Sequence, residues 1–269
     1  VLVNGMFASA GENWLSWIAW AFRLMHLPIG IFGVAISTVA LPNLAGFVSR
    51  GEIEEFRESF SFALRLVFLL TIPASVGLMV LSKPICQLIY GIGKNFENTD
   101  PIAATLFFYS FGLCGYSAVK IVTDGFYAFN DTKTPVKVSL LAVGLNIILN
   151  YLFIFELGLE YRALALSTSC TITLNFLLLL ALLRRKIGGL ALNDIWYFLI
   201  KLMFASAIMG ISCWITSLII KNQMAIDSLI GRLLEVFLPI STGLLVLLLM
   251  YKLLKIQELD QLLDCILRR

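Results

Sequence analysis

Residues 17–36 read "WIAWAFRLMHLPIGIFGVAI". A helix needs roughly 20 apolar residues to cross a hydrocarbon core about 30 Å thick. This stretch supplies them with one interruption, the guanidinium of Arg23. Counting from Trp14, the helical rise puts Arg23 about 14 Å into the span, close to mid-bilayer. Arginine at that depth costs about 2.5–3.5 kcal/mol on insertion scales. One turn away on either side stand Ala19, Trp20, His26 and Leu27, so no acid of its own helix neutralises it. The side chain must therefore meet a hydrated cavity, an anion, or a polar group of another helix. Its planar fork suits bidentate binding of phosphate, which makes a phosphate-bearing anion the natural ligand of such a cavity. His26, the chain's only histidine, follows one turn later as a proton-coupling group or simply a polar neighbour. Pro28 removes a backbone hydrogen bond in mid-span, with Gly30 and Gly33 beside it, so a kink and hinge are expected there.

The rest of the chain resembles this stretch. Apolar residues make up 59% of 269, charged residues 14%, and mean hydropathy is +0.92. Soluble domains run near 45–50% and about 25%, so the composition is that of an integral membrane protein. A net charge of +3 with no basic tract excludes a nucleic-acid partner. The cysteines (Cys86, Cys114, Cys170, Cys213, Cys265) are scattered singly, which indicates neither a zinc site nor a disulfide framework. The opening "VLVNGMFASAGENW" has no initiator Met and no signal-peptide pattern. Residues 1–8 read as the end of a preceding helix, and the chain as the carboxy-terminal portion of something longer.

Seven apolar stretches are long enough to span: approximately 14–41, 59–82, 102–123, 137–157, 163–183, 196–220 and 233–254. They are Leu- and Ala-rich without period-two alternation, so the expected fold is an all-α polytopic bundle. Alternate span ends gather thirteen basic residues, from Arg50 and Arg57 through Arg184, Arg185 and Lys186 to Arg269. The opposite ends hold five: Lys83, Lys94, Arg162, Lys221 and Arg232. The positive-inside rule makes the first set cytoplasmic and delivers the carboxy terminus to the cytoplasm. Residues 49–60 place Ile53, Phe56 and Phe60 on one face, and residues 253–269 do so with Ile256, Leu259, Leu263 and Ile266. Each suits an interfacial amphipathic helix or, equally, a solvated linker or tail.

Three further features need a reason. Lys120 falls in the last turn of its span, where snorkelling and an i,i+4 pair with Asp124 would explain it. Asn146 and Asn150 stand one turn apart on the fourth span, and the fifth offers Ser167, Thr168, Ser169 and Thr171. Such neutral oxygens can hold Na⁺ or act as interhelical glue. Nothing forms a catalytic constellation: there is no nucleophile elbow, HExxH motif or phosphate loop, so no enzyme is indicated.

Several stretches together resemble one family. "RLMHLPIGIFGVAISTVALPNLAGF", "SKPICQLIYGIGKNF", "KIVTDGFYAFNDTKTPVK" and "ALALSTSCTITLNFLLLLALLRR" occur in the order seen in the MurJ (MviN) lipid II flippases of the MOP superfamily. The third is the most specific. The resemblance runs over nearly the whole chain. It implies the end of the seventh helix and helices eight to fourteen of a fourteen-helix transporter: a C-terminal lobe plus two extra C-terminal helices. The expected division is residues 1–8 as the end of a preceding helix, 9–195 as a five-span bundle, 196–254 as two additional helices and 255–269 as a cytoplasmic tail.

In the family, a cavity arginine of the eighth helix falls on Arg23 and a cavity lysine of the tenth on Lys120. Some members bind Na⁺ between the seventh, eleventh and twelfth helices, at positions corresponding to Asn146, Asn150 and Thr168. Where members carry acids, this sequence has Phe22 and His26 around Arg23, and Asn4 and Asn150 in the cation set. The implied activity is outward movement of undecaprenyl-pyrophosphate-linked peptidoglycan precursor (lipid II) across the bacterial inner membrane, for cell wall synthesis. Lipid II, membrane lipids, an N-terminal lobe and cell-wall synthases are the implied partners. Two rivals are another MOP exporter, of O-antigen polysaccharide or drugs, and a non-transporting scaffold for cell-wall synthases.

Overall fold

The structure, a computed structural model, describes residues 2–9, 11–91, 99–190, 192–223, 229–256 and 258. Among these, helices α1 (Leu2–Ala8), α2 (Trp14–Pro28), α3 (Ala35–Arg50), α4 (Ile53–Val80), α5 (Ser82–Tyr90) and α6 (Thr99–Ala128) form the first half. Helices α7 (Lys133–Tyr151), α8 (Glu160–Lys186), α9 (Leu192–Gln223) and α10 (Leu229–Leu253) follow. Seven helical units are long and apolar enough to span a membrane, as the hydropathy reading expects, and every one extends past the expected apolar window at one end or both.

The first of these units joins α2, a π-helical turn at Ile29–Val34, and α3 into one helix of 37 residues. At the helical rise that is about 55 Å, well beyond a bilayer core. Pro28 has no N–H to give, and the wider π turn begins at the next residue, a usual way of absorbing a missing bond without ending the helix. Where the π turn passes α6, a Cβ on Gly33 would sit 3.2 Å from the Ser117 hydroxyl, so glycine allows the approach.

Helix α6 is the axis of the bundle. Of its most apolar window 61% is buried, against 11% for α7, which lies at the periphery. Its contact with α8 is made close by small residues. A Cβ on Gly112 would fall 2.8 Å from Ser169 Oγ and 2.9 Å from Ser169 Cα, and one on Gly115 3.3 Å from the Thr173 nitrogen. The Ser169 hydroxyl completes the seam by donating to the Phe108 carbonyl at 2.8 Å. Helices α9 and α10 pair with each other and dock on α4, where the Tyr251 hydroxyl donates to the Leu69 carbonyl at 2.7 Å.

Residues 49–60 correct the expectation of an interfacial helix. Gly51, at φ 74°, closes α3 and turns the chain, and Ile53 starts a single helix that runs on through the span. Phe56 and Phe60 are fully buried, Phe56 edge-on to Phe129 at 5.0 Å. An amphipathic stripe does not say what covers it; here the cover is protein, not lipid. The tail turns back at Lys255 (φ 52°), burying Ile256 and pairing Glu258 with Arg65 at 3.2 Å. Leu259, Leu263 and Ile266 lie outside the described residues. The stretch "SKPICQLIYGIGKNF" (82–96) begins with helix α5, whose buried Ser82, Pro84, Cys86 and Gln87 face the bundle; its residues 92–96 also lie outside the described ones.

The two charge sets of the sequence separate in space. At one end, here called the basic end, the Arg57 guanidinium donates to the Ile187 carbonyl at 3.1 Å, Lys186 pairs with Asp131 at 2.7 Å, and Lys201 reaches the Leu254 carbonyl at 3.2 Å. At the other, Lys83 pairs with Asp100 at 3.0 Å, Lys221 with Glu235 at 3.3 Å, and Arg232 donates to the Gly91 carbonyl at 2.5 Å. The "FYAFNDTKTPVK" segment has a structural role at the basic end. Asp131 accepts from the Thr134 N–H in the first turn of α7 (3.1 Å), from the Thr134 hydroxyl (2.9 Å) and from Lys186 at the end of α8. The Lys186 ammonium and the Thr134 N–H hold its carboxyl down to about 2.

Candidate substrate site: a cavity beside Arg23

A cavity of about 250 Å³ opens among α1, α2, α6 and α8. Arg23, Phe22, Ile18, Ala19 and Leu15 of α2, Tyr109 and Tyr116 of α6, Thr168 of α8, and Asn4 and Gly5 of α1 line it. Helix α2 presents residues 15, 18, 19, 22 and 23 at helical spacing, so one face forms the wall. Phe22 stands edge-on to Tyr109 at 5.7 Å and to Tyr116 at 6.4 Å, fixing the aromatic side. Arg23 is exposed in this chain, and among the described residues no acid pairs with it. Its electrostatic neighbour is Tyr90 of α5, whose hydroxyl is tied to the Trp20 carbonyl at 3.2 Å.

Lys120 lies one turn beyond Tyr116 on α6, half-buried, and does not line the cavity itself. The expected pair with Asp124 is not formed: no ion pair joins the two. The reason is competition from α3, whose Ser37 hydroxyl donates to the Asp124 carboxylate at 2.5 Å. Lys120 remains within electrostatic range of Asp124 and of His26. His26 Nδ1 lies 3.0 Å from the Phe22 carbonyl. A carbonyl only accepts, so Nδ1 carries the proton of the neutral ring and Nε2 is left to accept. The imidazole also packs 4.0 Å from the Phe22 ring and 5.9 Å from Tyr116. The structure therefore brings Arg23 and Lys120 to facing helices on either side of a Phe22–His26–Tyr116 cluster. Pro28 stands two residues past that cluster's His26, immediately before the π turn.

Asn146, Asn150 and Thr168 also converge. Asn150 donates to Asn4 Oδ1 at 3.0 Å and to Asn146 Oδ1 at 3.2 Å, and accepts from the Ser167 hydroxyl. Asn4 donates to Thr168 at 2.7 Å, and Asn146 reaches Thr171 at 3.4 Å. The amide oxygens of Asn4, Asn146 and Asn150 are each taken by a neighbouring donor, and the set holds no carboxylate. Nor do three or more His, Cys, Asp or Glu gather anywhere among the described residues. The asparagines and their partners fit a polar clasp joining α1, α7 and α8. Asn4 had no role in the residue-by-residue reading, and Tyr109 and Tyr116 had none either. Tyr109 and Tyr116 stand seven residues apart on one face of α6, a spacing the sequence does show, but Asn4 meets them from α1, and no spacing along the chain connects it to them.

The family model described as "Lipid II flippase MurJ" matches residues 1–235. A probable lipid II flippase MurJ of Haemophilus influenzae is 34% identical over 216 residues, which cover 74% of this chain and 40% of that protein. One of Thermotoga maritima is 34% identical over 250 residues, 93% of this chain and 48% of its own length. A solved structure of lipid II flippase MurJ in an inward closed conformation superposes with a TM-score of 0.72 at 27% identity, over 94% of this chain and 50% of that one. A MOP superfamily transporter from Pyrococcus furiosus shares the fold, with a TM-score of 0.62 at 17% identity. The chain thus spans less than half the length of these curated relatives. On the match over most of its length, and on a bundle that superposes on a solved member, this chain belongs to the MurJ family of lipid II flippases.

Proposed function

We propose that this chain forms one lobe of a lipid II flippase, and that Arg23 binds the pyrophosphate of the lipid-linked precursor as it crosses the membrane. The observation that carries the reading is a guanidinium at membrane depth, unpaired with any acid among the described residues, on the wall of a cavity. Arginine there is costly unless water or an anion meets it. A pyrophosphate offers oxygens for both arms of the fork, and Lys120 on the facing helix adds a second, less directional charge. His26, neutral with Nε2 as acceptor, would take a hydrogen bond from a sugar hydroxyl or a bridging water.

The π turn after Pro28 supports a hinge between α2, which carries Arg23, and α3, which Ser37 ties to α6 through Asp124. Movement of α2 against that anchored half would open and close the cavity to alternate sides. The basic end faces the cytoplasm on the positive-inside rule, so α10 delivers the carboxy-terminal tail to that side of the inner membrane. The remaining half of a full-length protein would supply the opposite wall of the cavity, and the reaction is transport with no covalent step. Cell-wall synthases, which consume the delivered precursor, are the expected protein partners.

The test is translocation of lipid II by the full-length protein carrying Arg23→Ala or Arg23→Lys. The transport reading predicts loss with alanine and partial retention with lysine, at equal amounts of protein in the membrane. Full translocation by the Arg23→Ala protein would leave a scaffold role as the better account.

A further inference from the structure

Helix α8 ends in three consecutive cations, and the fold uses them differently. Lys186, exposed like its neighbours, is engaged, paired with Asp131 at 2.7 Å and lying 5.4 Å over the Phe129 ring. Arg184 and Arg185 are exposed, and neither makes an ion pair or a side-chain hydrogen bond among the described residues. Both line an open cavity of about 620 Å³ together with Leu177, Leu180, Ala181 and the Gly188–Gly189 turn. It shares no residue with the cavity beside Arg23.

The groove is graded along the helix. Leu177 precedes Arg184 by about 10 Å of helical rise, so the wall is apolar toward the membrane interior and cationic at its rim. A helix C-terminus ordinarily repels anions through its unpaired carbonyls. Here two of those acceptors are taken, by Gly189 N–H to Arg184 O at 3.0 Å and Ile187 N–H to Leu183 O at 3.0 Å, and Arg57 bonds to the next carbonyl, Ile187 O. Gly188 at φ 77° makes this cap possible, and with Gly189 it leaves the floor of the groove without side chains.

From this we infer a binding site for an anionic phospholipid at the basic end, its phosphate held between Arg184 and Arg185 and an acyl chain laid along Leu177, Leu180 and Ala181. The apolar wall favours a lipid over a soluble phosphate, because a free ion would leave it wet. The unengaged guanidinium pair favours an anionic lipid over a zwitterionic one. This inference is independent of the transport reading, since the site would hold a structural or regulatory lipid whatever passes through the Arg23 cavity.

The test uses delipidated full-length protein in detergent, titrated with phosphatidylglycerol and read by native mass spectrometry. The double variant Arg184→Gln/Arg185→Gln should weaken retention about twenty-fivefold, the product of about fivefold for each cation near a lipid headgroup. Ala181→Trp, which fills the groove and leaves the charge unchanged, should also weaken it. Lys133→Gln/Lys137→Gln, removing the same charge from the same end, should change it by less than about threefold. Phosphatidylcholine, glycerophosphoglycerol and inorganic phosphate should fail to displace the bound lipid. Equal loss in the lysine control would overturn the site in favour of diffuse attraction. Displacement by the deacylated headgroup or by phosphate would overturn it in favour of a soluble anion, and unchanged retention in the arginine variant would refute it outright.

Discussion

Replacing Asn150 by alanine separates a polar clasp from a cation site. Asn150 is fully buried and holds three side chains: Asn4 at 3.0 Å, Asn146 at 3.2 Å, and the Ser167 hydroxyl. Interhelical hydrogen bonds within membranes average about 0.6 kcal/mol each, so the two that leave α7, to Asn4 and Ser167, together contribute about 1 kcal/mol. Alanine should lower the unfolding free energy of the full-length protein by about that amount, with α1 loosening first, because it packs sparsely on its other neighbours. The assay is unfolding in mixed micelles, run in parallel in sodium and potassium chloride. The clasp predicts the same loss in both salts and no sodium-specific stabilisation of the unmodified protein. Asn150→Asp should destabilise further, since it buries a charge without a partner. If sodium alone stabilised the unmodified protein and Asn150→Ala abolished that gain, the side chains would have to rearrange around an ion and the reasoning would fail.

Gly112→Val should be among the most damaging single changes, because even a Cβ falls 2.9 Å from a backbone atom of Ser169. Overpacking of that kind costs about 1–3 kcal/mol and should show as lost thermal stability and reduced protein in the membrane. Asp131→Asn should cost about 1 kcal/mol at neutral pH, a partly exposed pair at a helix junction. With the folded carboxyl held to about 2 against an ordinary 3.8, its stabilisation is complete above about pH 4 and disappears as pH falls through 2. The gap between unmodified and variant proteins in a pH series of unfolding should close over that window, and a gap that persisted below it would exclude the pair as its cause. Pro28→Ala should restore a backbone donor and shorten the π turn, raising stability while slowing translocation. Unchanged transport would remove Pro28 from the hinge.

Much of the architecture can be read along the chain because lipid imposes it. Each span must bury its own backbone bonds, so long apolar runs mark helices wherever they occur, and the basic loops separate to two ends as their spacing implies. The errors fall where protein, not lipid, is the neighbour. Phe56 and Phe60 form the stripe an interfacial helix would show, yet they pack on Phe129 and α6, and only the three-dimensional arrangement distinguishes the two. Lys120 and Asp124 have the spacing of a pair, but Ser37, distant in sequence, takes the carboxylate. Arg23 was legible as an anomaly because nothing within a turn could neutralise it. Its surroundings were not, since Tyr109, Tyr116, Asn4 and Thr168 come from three other helices. The asparagines of α7 were legible as polar groups needing partners, and the fold shows that those partners are one another.

The most direct measurement is the reactivity of a cysteine placed at Ala19, which lines the same cavity one turn before Arg23 and leaves the arginine in place, in full-length protein whose native cysteines have been replaced, toward a small membrane-impermeant thiol reagent. A water-filled, substrate-binding cavity predicts rapid labelling in intact membranes and protection by added lipid II. A thiol that stays unreactive, as one pressed against acyl chains would, or that labels equally with and without lipid II, would contradict the claim that a hydrated pyrophosphate site holds this arginine in the membrane.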